Sequence, residues 1–145
     1  MNSYNQKILI VDDIEDNRFT LERRLSRTGY TSISQADCGK KALEFVKKES
    51  FDLILLDLMM PDISGLDVLK ILKSDPKNRG IPVVMVTAAD EIDTTAECIS
   101  HGAEDYITKP VNATLLKARV SACLEKKRFR DSEEHYLSKV EADKK

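Results

Sequence analysis

Four near-continuous apolar runs, each stopped by a charged or hydroxyl residue, set the tightest limit on what this chain can fold into. Residues 7–11 run into Asp12 and Asp13, residues 51–56 into Asp57, residues 81–86 into Thr87, and residues 105–108 into Lys109 and Pro110. Such runs, without regular polar alternation, are what parallel strands covered on both faces look like. A weaker strand is expected at 30–34, after the stop signal Gly29. Between the runs, apolar residues recur at near-helical spacing. They are Phe19, Leu21 and Leu25, then Ala42, Leu43, Phe45 and Val46, then Leu66, Leu69, Ile71 and Leu72. Ala96, Ile99 and Ala103 follow, and Leu115, Leu116, Val120 and Leu124 open the last helix. Strand–helix alternation of this kind predicts right-handed crossovers and an α/β fold, a (βα)5 doubly wound parallel sheet with helices on both faces.

The chain has 145 residues and a formal net charge of −2, which makes one domain the prior. So even a balance gives no electrostatic case for nucleic acid or an anionic membrane as the main partner, and no specific nucleic acid binding is expected. A membrane span is not expected either, because Asp52 and Asp57 interrupt the apolar stretch between them and a span needs about 20 apolar residues. The N-terminus lacks a basic start and an apolar core, so no secretory signal is read. Cys38, Cys98 and Cys123 are scattered and odd in number. That argues against a disulfide framework and for a reducing, cytoplasmic setting. His101 and His135 are far apart in sequence, so a zinc site has little support. Residues 1–127 read as the folded domain. Residues 128–145 are dense in both signs of charge and hold no Pro or Gly, and they read as a charged helical extension or linker.

In open parallel sheets, ligands bind beyond the carboxyl ends of the strands. The residues to inspect are therefore Asp12, Asp13, Asp57, Thr87 and Lys109, which converge if the first and third strands are neighbours. Clustered carboxylates repel, so at neutral pH one keeps its proton or a cation sits among them. Hard oxygen donors without Cys or His favour Mg2+ over zinc, copper or iron. With a lysine adjacent, such a site suits phosphoryl transfer, and a carboxylate can be the nucleophile. At about 4 Å, Lys109 would attract one phosphoryl charge by roughly 4 kcal/mol at an effective dielectric near 20.

Taken together and in order, five motifs resemble the receiver domain of two-component response regulators. They are Ile8-Leu9-Ile10-Val11-Asp12-Asp13, residues 52–61 from Asp52 through Asp57 to Pro61, Ser64-Gly65-Leu66, residues 82–88 around Thr87, and residues 102–110 from Gly102 to Lys109-Pro110. The resemblance covers about 7–127 and implies the flavodoxin-like strand order 2-1-3-4-5. It further implies that Asp57 accepts the phosphoryl group. Asp12 and Asp13 would hold Mg2+, with Asp57 and the Met59 backbone carbonyl completing the protein ligands. Thr87 resembles the switch hydroxyl, Lys109 the phosphoryl-binding lysine with a cis bond to Pro110, and Tyr106 the aromatic that reorients with Thr87. A histidine kinase or phosphotransfer protein would be the donor. The fourth helix, fifth strand and fifth helix would form the output face, with Glu104, Asp105 and Arg119 as charges for pairing across a homodimer. A C-terminal effector domain in a longer protein is a further expectation.

Two other chemistries fit less well. An aspartate-nucleophile phosphohydrolase would carry a second Asp two residues after the first, where this chain has Met59. A flavin carrier of the same architecture needs a Ser/Thr/Gly-rich phosphate loop after the first strand, where Asp12 and Asp13 would repel FMN. Val111 stands where many receiver domains have Phe, which is expected to alter packing under the fifth helix. Apolar Met59 offers no help in positioning a hydrolytic water, so the acyl phosphate is expected not to be unusually short-lived.

Overall fold

The computed structural model describes residues 5–143. Its five strands are β1 (Lys7–Val11), β2 (Ser32–Ala36), β3 (Leu53–Asp57), β4 (Val83–Thr87) and β5 (Asp105–Thr108). The helices that alternate with them are α1 (Glu15–Thr28), α2 (Gly39–Lys48), α3 (Gly65–Ser74), α4 (Ile92–Ser100) and α5 (Ala113–Asp143). All strand pairs are parallel, and the sheet order is β2-β1-β3-β4-β5. The order reverses between β1 and β3, so the first and third strands are neighbours, as the site requires.

Parity along the strands divides the core into two layers, because successive side chains point to opposite faces. Leu9, Val11, Ile54, Leu56, Val83 and Met85 face one way and meet residues of α2, α3 and α4, among them Ala42, Val68, Leu69 and Cys98. Ile8, Ile10, Leu53, Leu55, Val84 and Val86 face the other way and meet Leu21 and Leu25 of α1 and Leu116, Val120 and Leu124 of α5. Every residue of β3 and β4 is buried, which is why those runs carry no alternation.

Several expectations shift: β3 and β4 each begin two residues later than the apolar runs and take in Asp57 and Thr87, and Ile71 and Leu115 are exposed. β2 begins at Ser32 instead of Tyr30. Tyr30 is buried in the α1/α5 layer, and β2 is an edge strand of mostly half-buried residues, so no apolar run marks its start. Phe19 of α1 is 60% exposed and lies under Arg23 instead of in the core. In α4 the buried residues are Thr95 and Cys98, while Ile92 and Ile99 face outward. Thr95 tolerates burial because its hydroxyl donates to the Glu91 carbonyl at 2.8 Å. α5 continues without a break from the sheet through the charged segment to Asp143.

Candidate functional site

Strand ends carry the site. Asp57 and Thr87 are themselves the last residues of β3 and β4, one position further inside the sheet than a flanking turn would be. Asp12 and Asp13 follow β1 directly, and Lys109 follows β5. Pairing of β1 with β3 sets Val11 against Leu56, which brings the next residues, Asp12 and Asp57, to the same rim. Asp12, Asp13 and Asp57 each offer a carboxylate oxygen within 4.8 Å of the others. Thr87 is buried, and its carbonyl accepts from the Lys109 backbone N–H at 2.7 Å. The Lys109–Pro110 bond is cis.

Burial makes these charges expensive. Asp12 is 1% and Asp57 4% exposed, whereas Asp13 is open to solvent. The Lys109 ammonium lies 3.1 Å from Asp57 Oδ1 and 3.6 Å from Asp12 Oδ2. Burial, and then the charge on Asp12, push the Asp57 carboxyl up to about 6, against the opposing pull of Lys109. Burial would lower Lys109, but its hydrogen bond to Asp57 and the charges of Asp12 and Asp57 together leave it raised. One ammonium thus serves an acidic pair that it cannot fully neutralise.

The residues present fit a hard divalent cation. All three side-chain donors are carboxylate oxygens, and Asp12 Oδ2 is buried without a hydrogen-bond partner. Its other oxygen accepts from the Ile14 N–H at 2.9 Å. Asp13 is not a helix cap, since Ile14 holds the N-cap position of α1 without a side-chain bond. Met59 lies two residues beyond Asp57 in the loop between β3 and α3, with its side chain 64% exposed. Tyr106 is half-buried on β5, opposite Met85 of β4, and packs against the α2/α3/α4 layer.

Several supporting residues carried no signal in the sequence. Arg18 of α1 donates to the Asp12 carbonyl at 2.8 Å and to Gln35 of β2 at 3.0 Å, bracing the loop after β1. Glu91 accepts from the Ala88 N–H at 2.7 Å, bracing the segment after Thr87. Asp62, in the loop after β3, accepts from the backbone N–H groups of Gly39 and Lys40, and the Lys40 bond above all holds its carboxyl below the ordinary range. Contacts between elements remote in sequence leave no local pattern. Val111 packs against the α1/α5 layer and, with Asn17, Thr20 and Arg24, lines a cleft of about 210 Å3 beside Asp12 and Lys109. The Arg24 guanidinium donates to the Val111 carbonyl across it.

The sequence profile described as "response regulator receiver domain" matches residues 8–121. Response regulator PleD of Caulobacter vibrioides is 43% identical over 114 residues, which is 79% of this chain and 25% of PleD. This chain therefore spans about a quarter of that relative's length. Chemotaxis protein CheY-3 of Vibrio cholerae is 35% identical over 122 residues, covering 84% of this chain and 94% of CheY-3. Among solved structures, a CheY-like response regulator receiver domain protein from Methanospirillum hungatei superposes with a TM-score of 0.80 at 27% identity, over 87% of this chain and 98% of its own. On the motifs, the strand order and these matches, the chain belongs to the response regulator receiver domain family of two-component signal transduction.

Proposed function

We propose that this domain is a phosphorylation-controlled switch in which Asp57 accepts a phosphoryl group from a histidine kinase or phosphotransfer protein. The single observation that carries this reading is the meeting of three carboxylates within 4.8 Å beside an ammonium 3.1 Å from one of them. Asp12, Asp13 and Asp57 with the Met59 carbonyl would hold Mg2+, which neutralises charge on the phosphoryl oxygens when bound. An Asp57 carboxylate oxygen forms the new P–O bond as the donor's P–N bond breaks, and the leaving imidazole takes up a proton. Lys109 would pair with a phosphoryl oxygen once Asp57 has become an acyl phosphate.

The switch follows from the same contacts. Thr87, at the end of β4, offers a hydroxyl to the phosphoryl group, and Tyr106 on the neighbouring strand follows its movement. A charged hydrogen bond contributes about 1.5–3 kcal/mol, and carrying an equilibrium from 1:99 to 99:1 takes about 5.5 kcal/mol. Contacts from Lys109 and Thr87 made only in the active state reach that order. The output surface is α4-β5-α5, where Ile92, Ile99 and Leu115 are exposed and suit a second copy. Glu104, Asp105 and Arg119 are the charges that would exchange partners across such a dimer. Arg119 binds Asp105 within the chain, and Glu104 binds Arg130 and Lys126. No helix among the described residues is long and apolar enough to cross a membrane. A cytoplasmic setting and a C-terminal effector carried beyond α5 complete the reading.

Acetyl phosphate with Mg2+, followed by intact-mass measurement, tests it. Wild type gains one phosphoryl mass and Asp57→Asn gains none. An equal gain in both proteins refutes Asp57 as acceptor. Sizing of the same samples checks the dimer, which is expected to grow with phosphorylation.

A further inference from the structure

α2 starts badly when its own sequence is considered alone. Its N-cap, Cys38, makes no side-chain cap, and its first turn holds Lys40 and Lys41 with no acidic residue. That is the wrong sign for the positive end of a helix dipole. The missing acceptor comes from the loop between β3 and α3. Asp62 Oδ1 accepts from the Gly39 N–H at 3.1 Å and Oδ2 from the Lys40 N–H at 2.9 Å.

The same loop carries Met59, and besides the packing of Met60 against the α2/α3/α4 layer it is pinned at three places. Behind Met59, Leu58 is fully buried, and its carbonyl accepts from the Gly65 N–H at 2.7 Å, closing the loop at its base. Gly65 permits that closure because a Cβ there would run into the Asp57 carbonyl oxygen and lie 2.9 Å from Leu58 Cα. Ahead of Met59, Ile63 packs on Gly39 so closely that a Cβ on that glycine would lie 2.8 Å from Ile63 Cδ1. The third pin is the Asp62 carboxylate. The Met59 side chain is mostly exposed, so its carbonyl is held mainly through its neighbours.

We propose that Asp62 is a positioning residue for the cation site: by clamping the N-terminus of α2, it holds the loop that presents the Met59 carbonyl to the ion bound by Asp12, Asp13 and Asp57. This rests on the Mg2+ reading above. It differs from a simple helix cap, because a cap supplied from within α2 would stabilise the helix and leave the loop without its polar tie to α2.

Calorimetric Mg2+ titration of the full chain separates these cases, using wild type, Asp13→Asn, Asp62→Ala and the double variant Cys38→Ser/Asp62→Ala. Serine at the N-cap restores a local acceptor for α2. Asp62→Ala is expected to weaken Mg2+ binding by about tenfold, the scale of lost outer support at metal sites. The double variant is expected to regain melting temperature but not Mg2+ affinity. Weakening of less than about threefold in Asp62→Ala, or recovery of affinity in the double variant, overturns the proposal. If the alanine variant does not fold, the double variant, whose α2 is capped again, is read at the same threshold. Absence of Mg2+ binding in wild type, or undiminished binding in Asp13→Asn, overturns the Mg2+ reading itself.

Discussion

The rim of the sheet and the α4-β5-α5 face invert the usual placement of residues in opposite ways. At the rim, charge is inside: Asp12 and Asp57 are buried, and one ammonium answers both. On the face, apolar surface is outside: Ile92, Ile99 and Leu115 are exposed, while charges pair in partial contact with water. The same residue types therefore behave differently. Low dielectric at the rim turns a carboxylate pair into a shifted Asp57 beside a buried Asp12 oxygen that lacks a hydrogen bond. Solvent on the face screens the pairs and leaves each worth little.

The largest test of this contrast removes the rim's cation. Lys109→Met leaves Asp12 and Asp57 facing each other, and at neutral pH without divalent metal it is expected to cost about 3 kcal/mol of stability. Urea denaturation in EDTA measures the loss, which should shrink when Mg2+ is added. Next comes Asp57→Asn. The folded carboxyl titrates near 6 and the unfolded one near 4, so folding favours the neutral form. The stability this provides is complete below about pH 4 and is lost as pH rises through about 6. Asn mimics the neutral form, so metal-free Asp57→Asn should be more stable than wild type by about 3 kcal/mol near pH 7.5 and gain almost nothing near pH 4. Denaturation curves at both pH values that show the same difference would break the contrast. The smallest effect is on the outer face. Glu104→Gln, which loses its pairs to Arg130 and Lys126, should cost under about 1 kcal/mol, and less in high salt.

The parts of the fold legible in the sequence were those where burial is two-sided. β3 and β4 were readable as unbroken apolar runs because every residue in them is enclosed. β2 was displaced by two residues because an edge strand needs no such run. The α4 face was misjudged because a satisfied threonine is buried while isoleucines stay out. At the site, Asp12, Asp57, Thr87 and Lys109 stood out because strand ends are marked in the sequence itself. Arg18, Glu91 and Asp62 did not, since each acts on a backbone group that its own surroundings do not reveal.

Sequence alone marked the residues at the ends of β1, β3, β4 and β5, and with them the chemical character of the site: carboxylate oxygens, a hydroxyl and an amine. Tertiary structure decided how near those groups come and how little water reaches them. Alternation and apolar runs are local properties of a chain, whereas the distance between Asp12 and Asp57 depends on which strands pair. The upward shift of Asp57 depends on the helices that close over the sheet.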